Sequence, residues 1–498
     1  MIMDRLLKIK IPLIIVLFVL KGCATNPVTG NPDFVVISEQ QEISIGANYH
    51  ERILEENKIL DDKELNDYIQ KLGTEIARKS HRPNLKWKFT IIDSPQFNAF
   101  ATPGGYVYMY RGMLNYFNSE AELVGVLGHE IGHITARHAV RGMSNAQITN
   151  LLLGVIQANV PGSQLTNNAF SLLNVAINRG YGRKYELEAD QLGAEYLLIN
   201  DYDPTAMSGF LEIMKQSDEL EKVIAKSENR PPNVGYHGIF STHPDSQKRI
   251  NALKEDSENK ENLKINKERF LKLLDGSNYG TSPEEGYVKD SVFYHPIFEI
   301  RFDIDDEWAF KNLPDRLELT KDGDQIVMRA DDLLKDDLDN GLTPEQYLKN
   351  GVKESGFLNN NELIDQKIFS FNNLNGFTHL YKNETPLSTY YKRFIIIFDL
   401  DTKDIKPKAW IASITMSDLK NDDSAKQMLK SFKKMTKEEI ANSKGLKIKV
   451  VRFREGMSYE SLAKSSPLGK FAKEKLMLLN GHYPEGNPEV GDLIKIVQ

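Results

Sequence analysis

Apolar and polar positions follow three successive patterns along this chain. From Ser38 to about Asn57 and from Asp61 to about Lys79, apolar residues return every three or four positions among mixed charges, which predicts two helices. Between Leu85 and Tyr110 the reading changes to strands, "LKWKFTIID" and, after a loop, "GGYVYMYRG". Helical spacing dominates again from Ser119 to about Ser257. A charged, Asn-rich run, "EDSENKENLKINKERF", and a turn-rich one, "DGSNYGTSPEEG", then mark a boundary near residues 275 to 285. Beyond it, residues 285–440 carry β-type runs such as "FEIRFDI", "QIVMRA" and "YYKRFIIIFDL", with helices near Thr343 to Glu354 and Ser424 to Lys433. This predicts an antiparallel α+β module with no visible catalytic constellation. Residues 446–498 read as strand, two short helices and a closing strand.

One helical stretch, "VGVLGHEIGHITARH", departs from an ordinary buried helix. Ser119 followed by Glu122 is a capping-box pattern, and Gly142 falls just past the last expected turn at Arg141. His129 and His133 stand four apart, so their side chains lie one above the other on one face and can reach a single ion. Glu130 points about 100° away around the axis, placed to touch a water on that ion rather than the ion itself. Neutral imidazoles holding Zn2+, a zinc-activated water and a glutamate general base are the parts that hydrolysis needs. Gly125, Gly128 and Gly132 form a stripe beside the histidine face, where another backbone can approach closely.

A third ligand is expected from a second helix, and "YGRKYELEADQLGAEYL", residues 181–197, supplies one. Glu186 shares a face with Ala189, Asp190 and Gly193, whereas Glu188 falls on the opposite side. Glu186 is therefore assigned to the metal. Asp190 is assigned to the outer shell, accepting the free ring N–H of a liganding histidine.

Composition and charge narrow the setting. At 498 residues the chain exceeds one ordinary domain, and 40% hydrophobic with 27% charged residues can bury sizeable cores. A net charge of −7 without a basic, aromatic-interleaved cluster argues against nucleic acid as a partner. Residues 1–22, with Arg5, Lys8 and Lys10 ahead of an apolar run from Ile11 to Leu20, have the build of an export signal. The run ends at Leu20-Lys21-Gly22-Cys23, which resembles a bacterial lipoprotein processing site, so Cys23, the single cysteine, is the expected lipidation residue and membrane tether.

Together, His129-Glu130-x-x-His133 followed by Glu186-x-x-x-Asp190 is similar to the HtpX/BepA-like zinc metallopeptidases, relatives of the CAAX prenyl proteases and of the mitochondrial quality-control peptidases. "FNAFATPGGYVYMYRGML", "STHPDSQKRI" and "GCATNPVTG" look like members of the same family. The resemblance covers about residues 23–255. It implies a gluzincin-type endopeptidase with one Zn2+ per chain, Glu186 as third ligand, and misfolded or unassembled envelope proteins as substrates, at the periplasmic face of the outer membrane.

The expected organisation is a lipoprotein signal peptide (1–22), an α-rich α+β zinc peptidase domain (23–275), an α+β accessory domain (285–440) faintly resembling PsbP-like folds, and a βααβ module (446–498) resembling LysM. LysM modules bind N-acetylglucosamine polymers, which makes peptidoglycan a candidate partner. In the peptidase domain "GGYVYMY" is expected as an exposed-edge strand that pairs with substrate, its approach shaped by Asn98, Gly104, Gly105 and Tyr106. His243 has two expected jobs, donating to the oxyanion of the tetrahedral intermediate or occupying the open zinc position. Residues 143–180 read as core, lid or membrane-touching helices. The competing functional class is a non-catalytic cell-wall- or partner-binding lipoprotein with a structural zinc.

Overall fold

The computed structural model describes residues 23–35, 37–144, 182–227, 232, 263–282, 286–313, 315–354, 361–384, 389–402, 405–443 and 445–498. The export signal, His243 and nearly all of segment 143–180 lie outside them. The chain divides into two compact units, one combining residues up to Gly280 with Leu446–Gln498, the other spanning Thr281–Gly445. Among the described residues no helix is long and apolar enough to cross a membrane.

The first unit opens on a hairpin, β1 (Cys23–Thr25) against β2 (Pro32–Phe34). Its turn is closed by Asn26, whose Oδ1 accepts from the amides of Val28 and Thr29. Two helices follow, α1 (Glu39–Glu56) and α2 (Lys63–Ala77). Ser38 and Gln41 form a reciprocal capping box on α1, and Asp62 caps α2, each contribution being of order 1 kcal/mol.

Strands β3 (Lys88–Ile92), β4 (Ala99–Thr102) and β5 (Tyr106–Tyr110) form a sheet in the order β3-β5-β4. This corrects the sequence expectation, because "GGYVYMY" lies in the middle, parallel to β3 and antiparallel to β4. A direct β3–β4 hairpin gives way to pairing of β3 with the strand after next, which leaves β3 and β4 as the two outer strands. Gly104 and Gly105 take φ of +85° and +106° in the β4–β5 turn. A Cβ on Gly105 would stand 2.9 Å from the Lys86 carbonyl oxygen, so these glycines serve chain packing.

A short helix, α3 (Arg111–Leu114), leads into α4 (Glu120–Thr135). Ser119 caps α4 by accepting from the Glu122 amide, while Glu122 Oε2 accepts from the amide of Asn118, one residue ahead of the cap. The helix stops at Thr135, six residues short of the expected end. Arg137 adopts φ 57°, and its guanidinium holds this non-glycine left-handed turn in place through Glu42 Oε2 and the Ile37 carbonyl. Arg82 grips the same Glu42 and the Ile134 carbonyl, so the break is fixed by two buried arginines around one buried carboxylate. Residues 138–144 are helical again.

Three further helices, α5 (Arg183–Ile199), α6 (Thr205–Ser227) and α7 (Lys267–Leu274), complete the α-rich region before the short strand β6 (Asn278–Tyr279). α4 is buried along its whole length in a core that includes Leu65, Ile69, Phe117, Leu127, Leu197 and Phe210.

The second unit is built on a seven-stranded antiparallel sheet. In chain order its sheet strands are β7 (Tyr287–Lys289), β8 (Val292–His295), β9 (Ile300–Asp303), β10 (Ala309–Asn312), β11 (Leu317–Lys321), β12 (Asp324–Asp332), β13 (Asn361–Phe371), β14 (Leu374–Glu384), β15 (Thr389–Asp399), β16 (Lys408–Met416) and β17 (Lys433–Lys434). The large sheet runs β10-β11-β12-β16-β15-β14-β13, and β17-β9-β8-β7 form a second one. Helices α8 (Lys335–Asp339), α9 (Pro344–Glu354), α10 (Asp422–Lys430) and α11 (Lys437–Asn442) accompany them.

The chain then returns to the first unit. β18 (Leu446–Arg452), α12 (Tyr459–Ser465), α13 (Ala472–Leu479) and β19 (Leu493–Val497) follow in βααβ order, and β18 pairs with both β19 and β6. The second unit is thus inserted between two paired strands of the first. Lys495, fully buried, donates from Nζ to the carbonyls of Asn115 (2.6 Å) and Phe117 (2.7 Å), just ahead of α4. Burial pushes its amine below the usual lysine range, with Glu122 opposing the shift. The architecture is multidomain α+β with an α-rich region in the first unit.

Candidate metal centre

α4 and α5 pack closely because small residues meet where they cross. A Cβ on Gly128 would lie 3.2 Å from Gly193 Cα, and one on Gly132 would lie 3.0 Å from the Ala189 carbonyl oxygen. The third glycine of the stripe faces elsewhere, with Gly125 against Met207 of α6. This contact brings Glu186 of α5 opposite His129 and His133 of α4, all three buried.

The two Nε2 atoms are 3.0 Å apart, and each lies 3.6 Å from an oxygen of Glu186. Ligands bonded at roughly 2.1 Å around a tetrahedral zinc stand about 3.4 Å from one another. The spacing and the His-His-Glu donor chemistry therefore fit a single Zn2+, and this is the one such cluster among the described residues. Glu130, between the two histidines, is fully buried.

The remaining ring nitrogens are held differently. His129 Nδ1 lies 2.8 Å from Asp190 Oδ1, a direct carboxylate partner. His133 Nδ1 lies 2.8 Å from Nδ1 of a second histidine, His138. His138 Nε2 reaches Glu188 Oε2 at 3.3 Å, to which Arg141 Nη1 donates at 3.1 Å. The ring stacks on Tyr185 at 4.5 Å, and the Arg141 guanidinium covers the same tyrosine at 4.6 Å. The hydrogen bond from His138, aided by Arg141, holds the Glu188 carboxyl down at about 2, whereas burial pushes His138 below the usual histidine value.

Glu188 anchors this second run of contacts. It lies on the far side of α5 from Glu186, but the chain beyond α4 turns at Arg137 and carries His138 and Arg141 round to meet it. His138, Tyr185 and Arg141 went unassigned from sequence. The available signal was a third histidine five residues past His133.

Of the other sequence candidates, Asn98 precedes β4, and its amide oxygen is buried without a hydrogen-bond partner among the described residues. Tyr106 begins the central strand and stacks on His50 at 4.8 Å. Gly104 and Gly105 make the turn described above, and Cys23 starts β1. Ala101 and Thr102 of β4 line a small cavity with His133, Glu42 and Arg137, so β4 runs beside the metal helix.

Two histidines one turn apart on a buried helix, an intervening glutamate and a glutamate from a crossing helix define a zinc peptidase site of the gluzincin type. Residues 63–257 match Peptidase family M48, and this region is a metallopeptidase domain of that family. Mitochondrial metalloendopeptidase OMA1 of Arabidopsis thaliana is 29% identical over 43% of this chain and 40% of its own length. Beta-barrel assembly-enhancing protease of Escherichia coli is 28% identical over 45% of this chain and 46% of its own length. The Schizosaccharomyces pombe OMA1 is 30% identical over 38% of this chain and 52% of its own. The chain spans about half the length, or less, of these curated relatives. A cyanobacterial PsbP from Synechocystis aligns over 30% of this chain and 95% of its own, at 11% identity and a TM-score of 0.23.

Proposed function

We propose that this protein is a zinc-dependent metalloendopeptidase of the bacterial cell envelope, hydrolysing peptide bonds of misfolded or unassembled envelope proteins. The observation that carries the reading is the convergence of His129, His133 and Glu186, with Glu130 in the same buried turn. The printed name of the Escherichia coli relative, a beta-barrel assembly-enhancing protease, supports the substrate class and the envelope setting.

His129, His133 and Glu186 would hold a zinc ion, which when bound would supply Lewis acidity to a water and to the scissile carbonyl. Glu130 accepts the proton of the attacking water and delivers it to the departing amine, so that one carboxyl serves as base and then as acid. Asp190 takes the Nδ1 proton of His129 as a hydrogen bond, which leaves Nε2 with its lone pair toward the ligand position. An extended substrate approaches past β4, an outer strand of its sheet, with the Asn98 amide oxygen available to one of its N–H groups. Acylation of Cys23 tethers the protein to a membrane, and the βααβ module contacts peptidoglycan. His243 acts on the oxyanion or on the open zinc position.

Zinc content and casein cleavage of the purified protein test this reading. Glu130→Gln should keep about one zinc per chain and lose on the order of 10²–10⁴-fold in chelator-sensitive cleavage. Unchanged cleavage would overturn the mechanism, and a wild type that holds zinc without cleaving would favour a structural metal.

A further inference from the structure

We infer that His138 is a positioning residue that holds the metal ligand His133 in its liganding tautomer, in a relay that runs from the buried His133 and His138 to the half-buried Glu188, Arg141 and Asp33. The inference rests on the zinc reading above and deepens it.

The proton positions follow from the contacts. His133 can bond a metal only through Nε2, because Nδ1 faces His138 at 2.8 Å. Nδ1 of His133 must then carry the ring proton and donate it. The acceptor is His138 Nδ1, which requires a lone pair there and places the His138 proton on Nε2. That atom lies 3.3 Å from Glu188 Oε2, a hydrogen-bond acceptor. Each link fixes the next: His138 is neutral with Nε2 protonated, and Glu188 is an ionised acceptor. Arg141 secures Glu188 at 3.1 Å, and Asp33 of β2 lies 3.4 Å from Arg141 Nε.

The arrangement also fixes the ring plane. His138 is fully buried and stacked on Tyr185 with 22° between planes, so it cannot swing away to another partner without vacating a packed site. The two ligand histidines are therefore supported unequally. His129 leans on a carboxylate directly, whereas His133 leans on a neutral imidazole that passes the carboxylate's influence through one more hydrogen bond. An imidazole acceptor is uncharged, so His133 is the less polarised ligand, and a side chain outside the two metal-bearing helices helps to orient it.

Zinc affinity measured by chelator competition, alongside thermal unfolding of the metal-free protein, tests the relay. Wild type should bind one zinc and His129→Ala none; failure of this pair overturns the zinc reading and the relay with it. With that pair satisfied, His138→Phe keeps the stacked ring but removes the acceptor, and should weaken zinc binding about 10–100-fold without lowering the metal-free melting temperature. His138→Gln, which restores an acceptor, should recover most of the loss. Glu188→Gln should weaken binding in the wild-type background and add nothing to His138→Phe. Wild-type affinity in His138→Phe, an equal Glu188→Gln effect in both backgrounds, or equal losses in His138→Phe and His138→Gln with a lower melting temperature would overturn the proposal.

Discussion

Two buried clusters of ionisable side chains, one in each compact unit, are neutralised in opposite ways. In the inserted unit Arg393 is almost fully buried and meets Asp422 through Nε at 2.6 Å and Nη2 at 2.8 Å, with Thr378 Oγ1 at 3.1 Å from Nη1. The chain supplies both charges, and the guanidinium fork matches the carboxylate. In the peptidase region His129, His133 and Glu186 turn two imidazole nitrogens and a carboxylate toward one point. Those are electron-pair donors, and the positive charge that suits them is a metal ion. Burial marks both places, whereas convergence of donors marks the second as a site.

Breaking the two clusters should separate them cleanly. The largest effect is expected from Glu186→Gln, which should drop zinc from about one per chain to near zero by elemental analysis and abolish cleavage, because two histidines alone make a poor zinc site. Asp422→Asn should leave zinc content untouched yet destabilise the inserted unit by about 3–5 kcal/mol, seen as an earlier denaturant transition, because it strands a buried guanidinium. Zinc loss in Asp422→Asn would contradict the separation. The smallest effect is expected from Gly128→Ala. Its Cβ meets Gly193 backbone at 3.2 Å, so strain of about 1–3 kcal/mol opposes a helix-propensity gain of about 1 kcal/mol, leaving a modest net loss. Zinc affinity should fall with it, because the strain pushes α5 and Glu186 away from α4. A stabilised variant with unaltered affinity would show that the close helix contact does not set the ligand geometry.

What the sequence made legible was local chemistry. Ser38, Asp62 and Ser119 cap helices by reaching their own first turns, and four-residue spacing stacks His129 over His133. What stayed hidden depended on distant partners. α4 ends at Thr135 because Glu42, 95 residues earlier in the chain, holds Arg137 in a left-handed turn that arginine does not favour by itself. β5 lies at the centre of its sheet because β3 pairs past its sequence neighbour, and hydrophobic alternation carries no information on strand order. A helical wheel set Glu188 away from the metal correctly, yet it could not show that the chain returns on that side with His138.

The buried Lys495 contact also has a consequence for how the protein is made. Its amine closes onto the Asn115 carbonyl, 380 residues upstream, in the segment that leads into the metal helix. At about 5–20 residues per second, a ribosome needs on the order of 20–80 s to deliver the second partner after the first. Throughout that interval the nascent first unit lacks β19 and the cation that ties down the entrance to α4. Synthesis order thus leaves the entrance to α4 without this tie until β19 has emerged.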